Sequence, residues 1–94
     1  KAAVWLYKAA TKGDHSAQLV LGSQLLYGQG ISRDLPAAFM WLILAGQSET
    51  VGVVQQSEIF RNDAESRMSA TQIADATKRA KRFRPRPDRF VDEN

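Results

Sequence analysis

The chain contains no cysteine, so disulfides and thiolate metal sites are excluded. It has one histidine, His15, with no group of carboxylates beside it, so we expect a solvated histidine at a helix start and no metal site. No serine is followed three places later by lysine, and no Ser–His–Asp arrangement can be argued. We therefore expect no enzyme activity and no cofactor.

Long apolar runs are also missing. The longest uncharged apolar-rich stretch, residues 35–46, is too short to cross a bilayer and is typical of a buried helix. The 94 residues suit one small domain, and Lys1 already stands inside a helical pattern, which suggests a segment of a longer protein. The compartment stays open, because a signal or anchor ahead of this segment would not be seen.

What the chain does have is an internal repeat. Helical apolar spacing surrounds both tryptophans, which are 36 residues apart, and four pairs of residues match at this interval. The pairs are Ala2 with Ala38, Trp5 with Trp41, Leu6 with Leu42, and Ala9 with Ala45. Because small alanines flank each indole, we expect both tryptophans to be core residues that pin neighbouring helices together.

A Gly-x-Gly pair, Gly28 and Gly30, raises the question of a phosphate-binding loop. The pair follows a helical pattern where a strand is required, and Arg33 stands where a dinucleotide fingerprint needs glycine. Gly28 instead has the position of a left-handed helix C-cap, and Asp34 can cap the next helix with Pro36 in its first turn. The stretch predicts a turn between two helices.

Caps and spacing predict an all-α fold of five helices, near residues 1–12, 14–28, 35–47, 51–67 and 70–83. Asp14 and Thr50 are the expected N-caps of the second and fourth helices, and Ser69 with Gln72 has the spacing of a capping box. A glycine inside the second helix, Gly22, predicts a close helix–helix contact. Residues 84–94, with two prolines, are expected to form an extended basic tail.

The stretch "AQLVLGSQLLYGQGISRDLPAAFMWLILAG" resembles a Sel-one-like repeat, a relative of the tetratricopeptide repeat. The positions that carry the resemblance are Ala17, Leu21, Gly22, Gly28, Gly30, Asp34, Ala38, Trp41 and Ala45. Residues 1–17 are similar to the second half of a preceding repeat, with Ala2, Trp5 and Ala9 in matching places. Residues 69–83 are similar to the helix that caps such arrays, so residues 1–83 look like the end of a longer array.

The resemblance implies an α/α solenoid of antiparallel helix pairs, whose first helices line a concave surface. It also implies a non-catalytic scaffold or adaptor for another protein, of a kind used in bacterial envelope, secretion and signalling pathways. Further repeats ahead of Lys1 are expected on the same ground. The pattern departs from the family where Leu25 replaces a tyrosine and Glu49 a glycine.

Helical spacing then predicts which residues face a partner in this groove. They are Ser16, Leu19, Ser23, Leu26 and Tyr27 on one first helix, with Gln55 and Ile59 on the next. An alternative stays open, in which Leu19 and Leu26 pack against an upstream repeat or the preceding helix.

The charge of the chain is uneven, since residues 1–77 carry −1 and residues 78–94 carry +4. Two interpretations of the basic segment 78–90 stay open. It can contact RNA or an anionic surface, with Lys78, Arg79, Lys81, Arg82, Arg84 and Arg86 as the candidate contacts. Alternatively, it is a solvated helix end whose cations favour the helix dipole, and nucleic acid is not the partner.

Overall fold

The computed structural model describes residues 2–85. This part of the chain contains five α-helices and no strand. The helices are α1 (Ala2–Thr11), α2 (His15–Tyr27), α3 (Leu35–Ala45), α4 (Val51–Glu65) and α5 (Ala70–Arg82). The all-α prediction is confirmed, and each observed helix lies inside its predicted range. Of the predicted tail, residues 86–94 lie outside the described part.

Polar side chains fix where three of the helices begin. Asp14 accepts a hydrogen bond from the backbone N–H of Ala17 at 3.0 Å, and Asp34 accepts one from Ala37 at 3.1 Å. Ser69 and Gln72 form the reciprocal capping box ahead of α5. Thr50 has the predicted N-cap position of α4, but its side chain makes no capping hydrogen bond.

The Gly-x-Gly segment stops α2 and turns the chain into α3. Gly28 has φ of 71° and ψ of 35°, the left-handed conformation that only glycine adopts without steric cost. Gly30 also has a positive φ, and the backbone N–H of Asp34 then donates to the carbonyl of Leu25 at 3.0 Å. The turn is therefore bonded back onto α2, as the sequence predicts.

Helices α2 and α3 form the tightest pair because Gly22 removes a side chain from their interface. A Cβ atom at position 22 would lie 2.7 Å from Cδ2 of Leu42 and 3.3 Å from the carbonyl oxygen of Ala38. Leu42 is fully buried, so a side chain at position 22 would force it to shift within a packed core. The close approach predicted from the glycine is confirmed.

Helix α3 is the centre of the fold, since it packs against α2, α4 and α5. Seven of its residues are buried: Ala38, Phe39, Met40, Trp41, Leu42, Leu44 and Ala45. The indole of Trp41 lies between two rings in edge-to-face geometry, with centroids 6.1 Å from Tyr7 and 5.6 Å from Phe83. Trp41 is thus a core residue, as expected.

The prediction that Trp5 is also a core residue is wrong. Its side chain is 76% exposed, compared with 5% for Trp41. Helix α1 packs mainly on α2, through Leu6, Ala9 and Ala10, and nothing in residues 2–85 covers the side of α1 that carries the indole. The side chain of Ala2 lies outside the described part.

The remaining helices bury narrow stripes. Helix α4 buries Ser57 and Ala64, and α5 buries Ala76 and Ala80. Helix α4 contacts α2 as well as α3. The inward-facing small residues let both helices approach the α2–α3 pair closely, and the outer side of α5 carries its lysines and arginines.

Candidate partner-binding face

Large apolar side chains that remain exposed are confined to three helices within residues 4–85. They are Val4, Trp5 and Tyr7 on α1, Val20 and Tyr27 on α2, and Val51 and Ile59 on α4. Helices α3 and α5 contribute none, because α3 is enclosed and α5 is polar outside. The candidate surfaces are therefore on α1 and on the neighbouring pair α2 and α4.

On α2 the outward stripe runs along Ser16, Val20, Ser23 and Tyr27, spaced i, i+4, i+7 and i+11. Ser16, Val20 and Tyr27 are exposed, and Ser23 is half-buried with its hydroxyl donating to the carbonyl of Val20 at 2.8 Å. Val20 is not among the residues that helical spacing predicted to face a partner. Its spacing between two predicted groove residues, Ser16 and Tyr27, was the signal that could have identified it.

Two leucines assigned to the groove lie elsewhere. Leu26 is completely buried, so its assignment to a partner surface is wrong. It lies one turn after Gly22, on the side of α2 that faces the core. Leu19 is only half-buried and stands at the edge between the core and the outward stripe.

On α4 the outward stripe runs along Val51, Gln55 and Ile59, at i, i+4 and i+8. All three are exposed, with Val51 at 67% and Ile59 at 59%. Gln55 and Ile59 were predicted to face a partner, and the structure leaves both uncovered.

A polar contact joins the two stripes at the C-terminal ends of α2 and α4. The Tyr27 hydroxyl donates to Asp63 at 2.6 Å, and Nε of Arg67 donates to the other carboxylate oxygen at 3.1 Å. The Tyr27 ring meets Phe60 edge to face at 6.1 Å, and the Arg67 guanidinium lies 5.9 Å from its centroid. Tyr27 thus connects the two helices as well as facing solvent.

This contact shifts the pKa values of both Tyr27 and Asp63. The hydrogen bond from Tyr27, helped by Arg67, lowers the pKa of Asp63, because a carboxylate is favoured by donors. The same hydrogen bond to Asp63 raises the pKa of Tyr27, because the neutral hydroxyl is the form that can donate. Ile59 is one turn before Asp63 and on the same side of α4. We call Ser16, Val20, Ser23, Tyr27, Val51, Gln55 and Ile59 the α2/α4 face.

The basic residues after position 77 are divided between two clefts. Lys78, Arg79 and Arg82 line one cleft beside Asp75 and Pro36. Lys81 and Arg84 line a second cleft. The predicted anion contacts on α5 therefore do not form one continuous strip, and Arg86 lies outside the described residues.

His15 is the first residue of α2 and is half-buried, so it is less solvated than expected. Among residues 2–85, no three His, Asp or Glu side chains come together in a way that could hold a metal ion. None of the helices in this range combines the length and the apolar character that a membrane span needs.

Comparison with protein-family models, with curated proteins and with solved structures found no match for this chain. The resemblance to Sel-one-like repeats is therefore supported by the sequence pattern alone.

Proposed function

We propose that this chain is a non-catalytic, protein-binding scaffold module built from Sel-one-like repeats. In this proposal the helices form part of an α/α solenoid, with α2–α3 as one pair and α1 as the second helix of the pair before it. Helices α4 and α5 take the places of the next first and second helix through their packing on α2 and α3, and they make few contacts with each other. The α2/α4 face is the surface that meets the partner protein.

Two contacts support the stacking of successive pairs. Tyr27 and Asp63, which join the first helices of the two pairs, are 36 positions apart, the same interval as the sequence repeat. The second helices, α3 and α5, are also in contact, with Phe83 after α5 packed on Trp41 of α3. Repeats that stack in this way bury a continuous core through nearest neighbours.

The observation that carries the proposal is the presence of uncovered apolar side chains on both α2 and α4, two helices that contact each other. On α2, Val20 lies between Ser16 and Ser23, and on α4, Gln55 lies between Val51 and Ile59; both helices bury residues on another side. An apolar surface rimmed by polar groups gains free energy when another protein covers it, at about 25 cal/mol for each Å² removed from water.

We assign a different occupant to the exposed side of α1. Trp5 and Trp41 hold the same place in the 36-residue pattern, and Trp41 is buried partly by Tyr7 of the helix pair before its own. By the same pattern, Trp5 packs against a repeat that precedes α1. Fusing a second copy of residues 1–36 ahead of Lys1 keeps the period, and it should protect Trp5 from acrylamide quenching. Unchanged quenching would contradict this assignment.

The partner surface is tested by charge substitution. Val20→Lys with Ile59→Lys adds two cations to the α2/α4 face without touching the core, so melting should be unchanged. Thr71→Lys, on the exposed side of α5, is the matched control, and Leu26→Lys is the core control that should unfold.

Binding is measured by capture of cross-linked proteins from an extract of the source cells, with each variant as bait. The proposal predicts that the wild type and Thr71→Lys capture the same protein, and that the double variant does not capture it. Capture of the same protein by the folded double variant would contradict the assignment of this face.

A further inference from the structure

The cleft beside Pro36, which we call the α3/α5 cleft, has a volume of about 300 Å³ and lies between the first turn of α3 and the outward side of α5. The residues that line it are Pro36, Gln72, Asp75, Lys78, Arg79 and Arg82. It shares no residue with the α2/α4 face. Its volume is at the lower end of the range for sites that hold small molecules, about 300–1,000 Å³, so its occupant is compact.

Helical spacing brings three cations of α5 together in this cleft. Arg82 is three residues after Arg79 and four residues after Lys78, so the three side chains lie on one side of the helix. All three are exposed. Like charges at this spacing repel each other and disfavour the helix, and a bound anion removes that repulsion.

These cations are not occupied by other groups of the protein. Within residues 2–85 none of the three donates a hydrogen bond or forms a salt bridge, although Asp75 has the helical spacing to pair with Lys78 or Arg79. The end of α5 is bonded by Arg84 instead, whose Nη1 donates to the carbonyl of Lys81 at 3.1 Å. The cations of the cleft are therefore not the groups that satisfy the helix end, which is the alternative role for cations there.

The net charge of this end of the chain is positive over the complete sequence. Residues 70–94 contain seven basic and four acidic side chains, whereas residues 1–69 contain six of each. The whole excess of +3 therefore belongs to α5 and the residues after it. A charge excess of this kind attracts anions to this end of the chain.

The arrangement favours a phosphate group on a small molecule. Two arginines and a lysine suit a dianion, because each guanidinium fork can bind two phosphate oxygens at once. A nucleic-acid backbone needs a continuous track of cations, and Lys81 and Arg84 line another cleft. A bilayer is disfavoured, because α5 exposes no large apolar side chain that could enter it.

We propose that the α3/α5 cleft binds the phosphate group of a small soluble phosphate monoester. Arg79 and Arg82 bind its oxygens, and Lys78 is the third cation. Asp75 also lines the cleft and opposes the phosphate by its charge, so it limits the affinity. This inference is independent of the partner surface on α2 and α4.

A matched pair of probes tests the charge of the ligand. Methyl phosphate and methyl sulfate have the same tetrahedral shape, but at about pH 8 the first is a dianion and the second a monoanion. Both are titrated into the ¹⁵N-labelled full chain at constant ionic strength, and the amide shifts of α5 and of the first turn of α3 are followed. We expect methyl phosphate to bind about 3- to 10-fold more tightly.

Variants locate the site. Arg79→Gln and Arg82→Gln should each weaken methyl phosphate about 3- to 10-fold, and Asp75→Asn should strengthen it. Lys78→Gln should also weaken it. Lys81→Gln, the same change beside the other cleft, is the matched control that should leave binding nearly unchanged at physiological ionic strength. All five side chains are exposed, so melting should not change.

Three results would overturn the proposal. One is the absence of saturable shifts around the cleft with methyl phosphate. Another is equal weakening by Lys78→Gln and Lys81→Gln, which would mean that the anion responds only to the net charge of α5. The third is tighter binding of a single-stranded RNA, or of vesicles that contain phosphatidic acid, with equal losses in these two variants. That result would assign the cations to a macromolecular surface.

Discussion

Helices α1 and α3 carry the same pattern and differ in what surrounds them. Each has a tryptophan between alanines at matching positions 36 residues apart, yet Trp5 is exposed and Trp41 is buried. Helix α3 is enclosed by α2, α4 and α5, whereas α1 packs mainly on α2 within the described residues. The pattern of a repeat thus specifies which side chains can be core, and the number of neighbouring helices decides whether they are.

The largest difference should appear when the two indoles are removed in turn. Trp41→Ala deletes a ring packed between Tyr7 and Phe83 and should cost about 3–5 kcal/mol of unfolding free energy. Trp5→Ala deletes an exposed ring and should cost less than about 0.5 kcal/mol. Urea unfolding followed by circular dichroism measures both. Equal losses would show that α1 and α3 are packed alike.

Phe83 sharpens the comparison, because it is the ring beside Trp41 that has no aromatic counterpart 36 positions earlier in the chain. The residue 36 positions before it is Gln47. Phe83→Ala should cost about 2 kcal/mol, less than a fully buried ring, because Phe83 is only half-buried. It should also shift the emission of Trp41 to longer wavelength. Unchanged emission would indicate that α5 does not enclose Trp41.

A substitution at Gly22 tests how closely α2 packs against α3. Gly22→Ala gains about 1 kcal/mol of helix propensity but places a methyl group against Leu42, which costs about 1–3 kcal/mol of overpacking. We expect a net loss of about 1 kcal/mol in thermal unfolding. A stabilised variant would show that the α2–α3 interface yields more easily than its geometry indicates.

The smallest effect concerns the contact between α2 and α4. Tyr27→Phe removes the donor that lowers the pKa of Asp63, so this pKa should rise towards its ordinary value, with Arg67 retaining part of the shift. Asp63 stabilises the fold above the ordinary carboxylate pKa, and this contribution is lost as pH falls through the lowered folded-state pKa. The Tyr27→Phe variant should therefore lose this stabilising contribution at a higher pH than the wild type does.

Carbon-13 titration of the Asp63 carboxyl group measures this shift directly. Tyr7→Phe is the control, because the Tyr7 hydroxyl is not bonded to Asp63 and its removal should leave the carboxyl titration unchanged. If the pKa of Asp63 is the same in Tyr27→Phe as in the wild type, the hydroxyl and the carboxylate are not in contact in solution.

Local chemistry made much of the fold predictable. The caps Asp14, Asp34 and Ser69 act within three residues of themselves, and the left-handed Gly28 needs no distant partner, so the sequence alone locates these helix ends. The candidate site was harder. Leu26 is buried by the packing of other helices, which its spacing within α2 does not reveal, whereas the exposed Val20 is in register with Ser16 and Tyr27.

The central claim, that α1 exposes what α3 buries, is tested most directly by acrylamide quenching of single-tryptophan chains. Trp41→Phe leaves Trp5 as the reporter, and Trp5→Phe leaves Trp41. The account predicts that Trp5 emits like an indole in water and is quenched efficiently, whereas Trp41 emits at shorter wavelength and is strongly protected. Equal quenching of the two reporters in folded chains would contradict it.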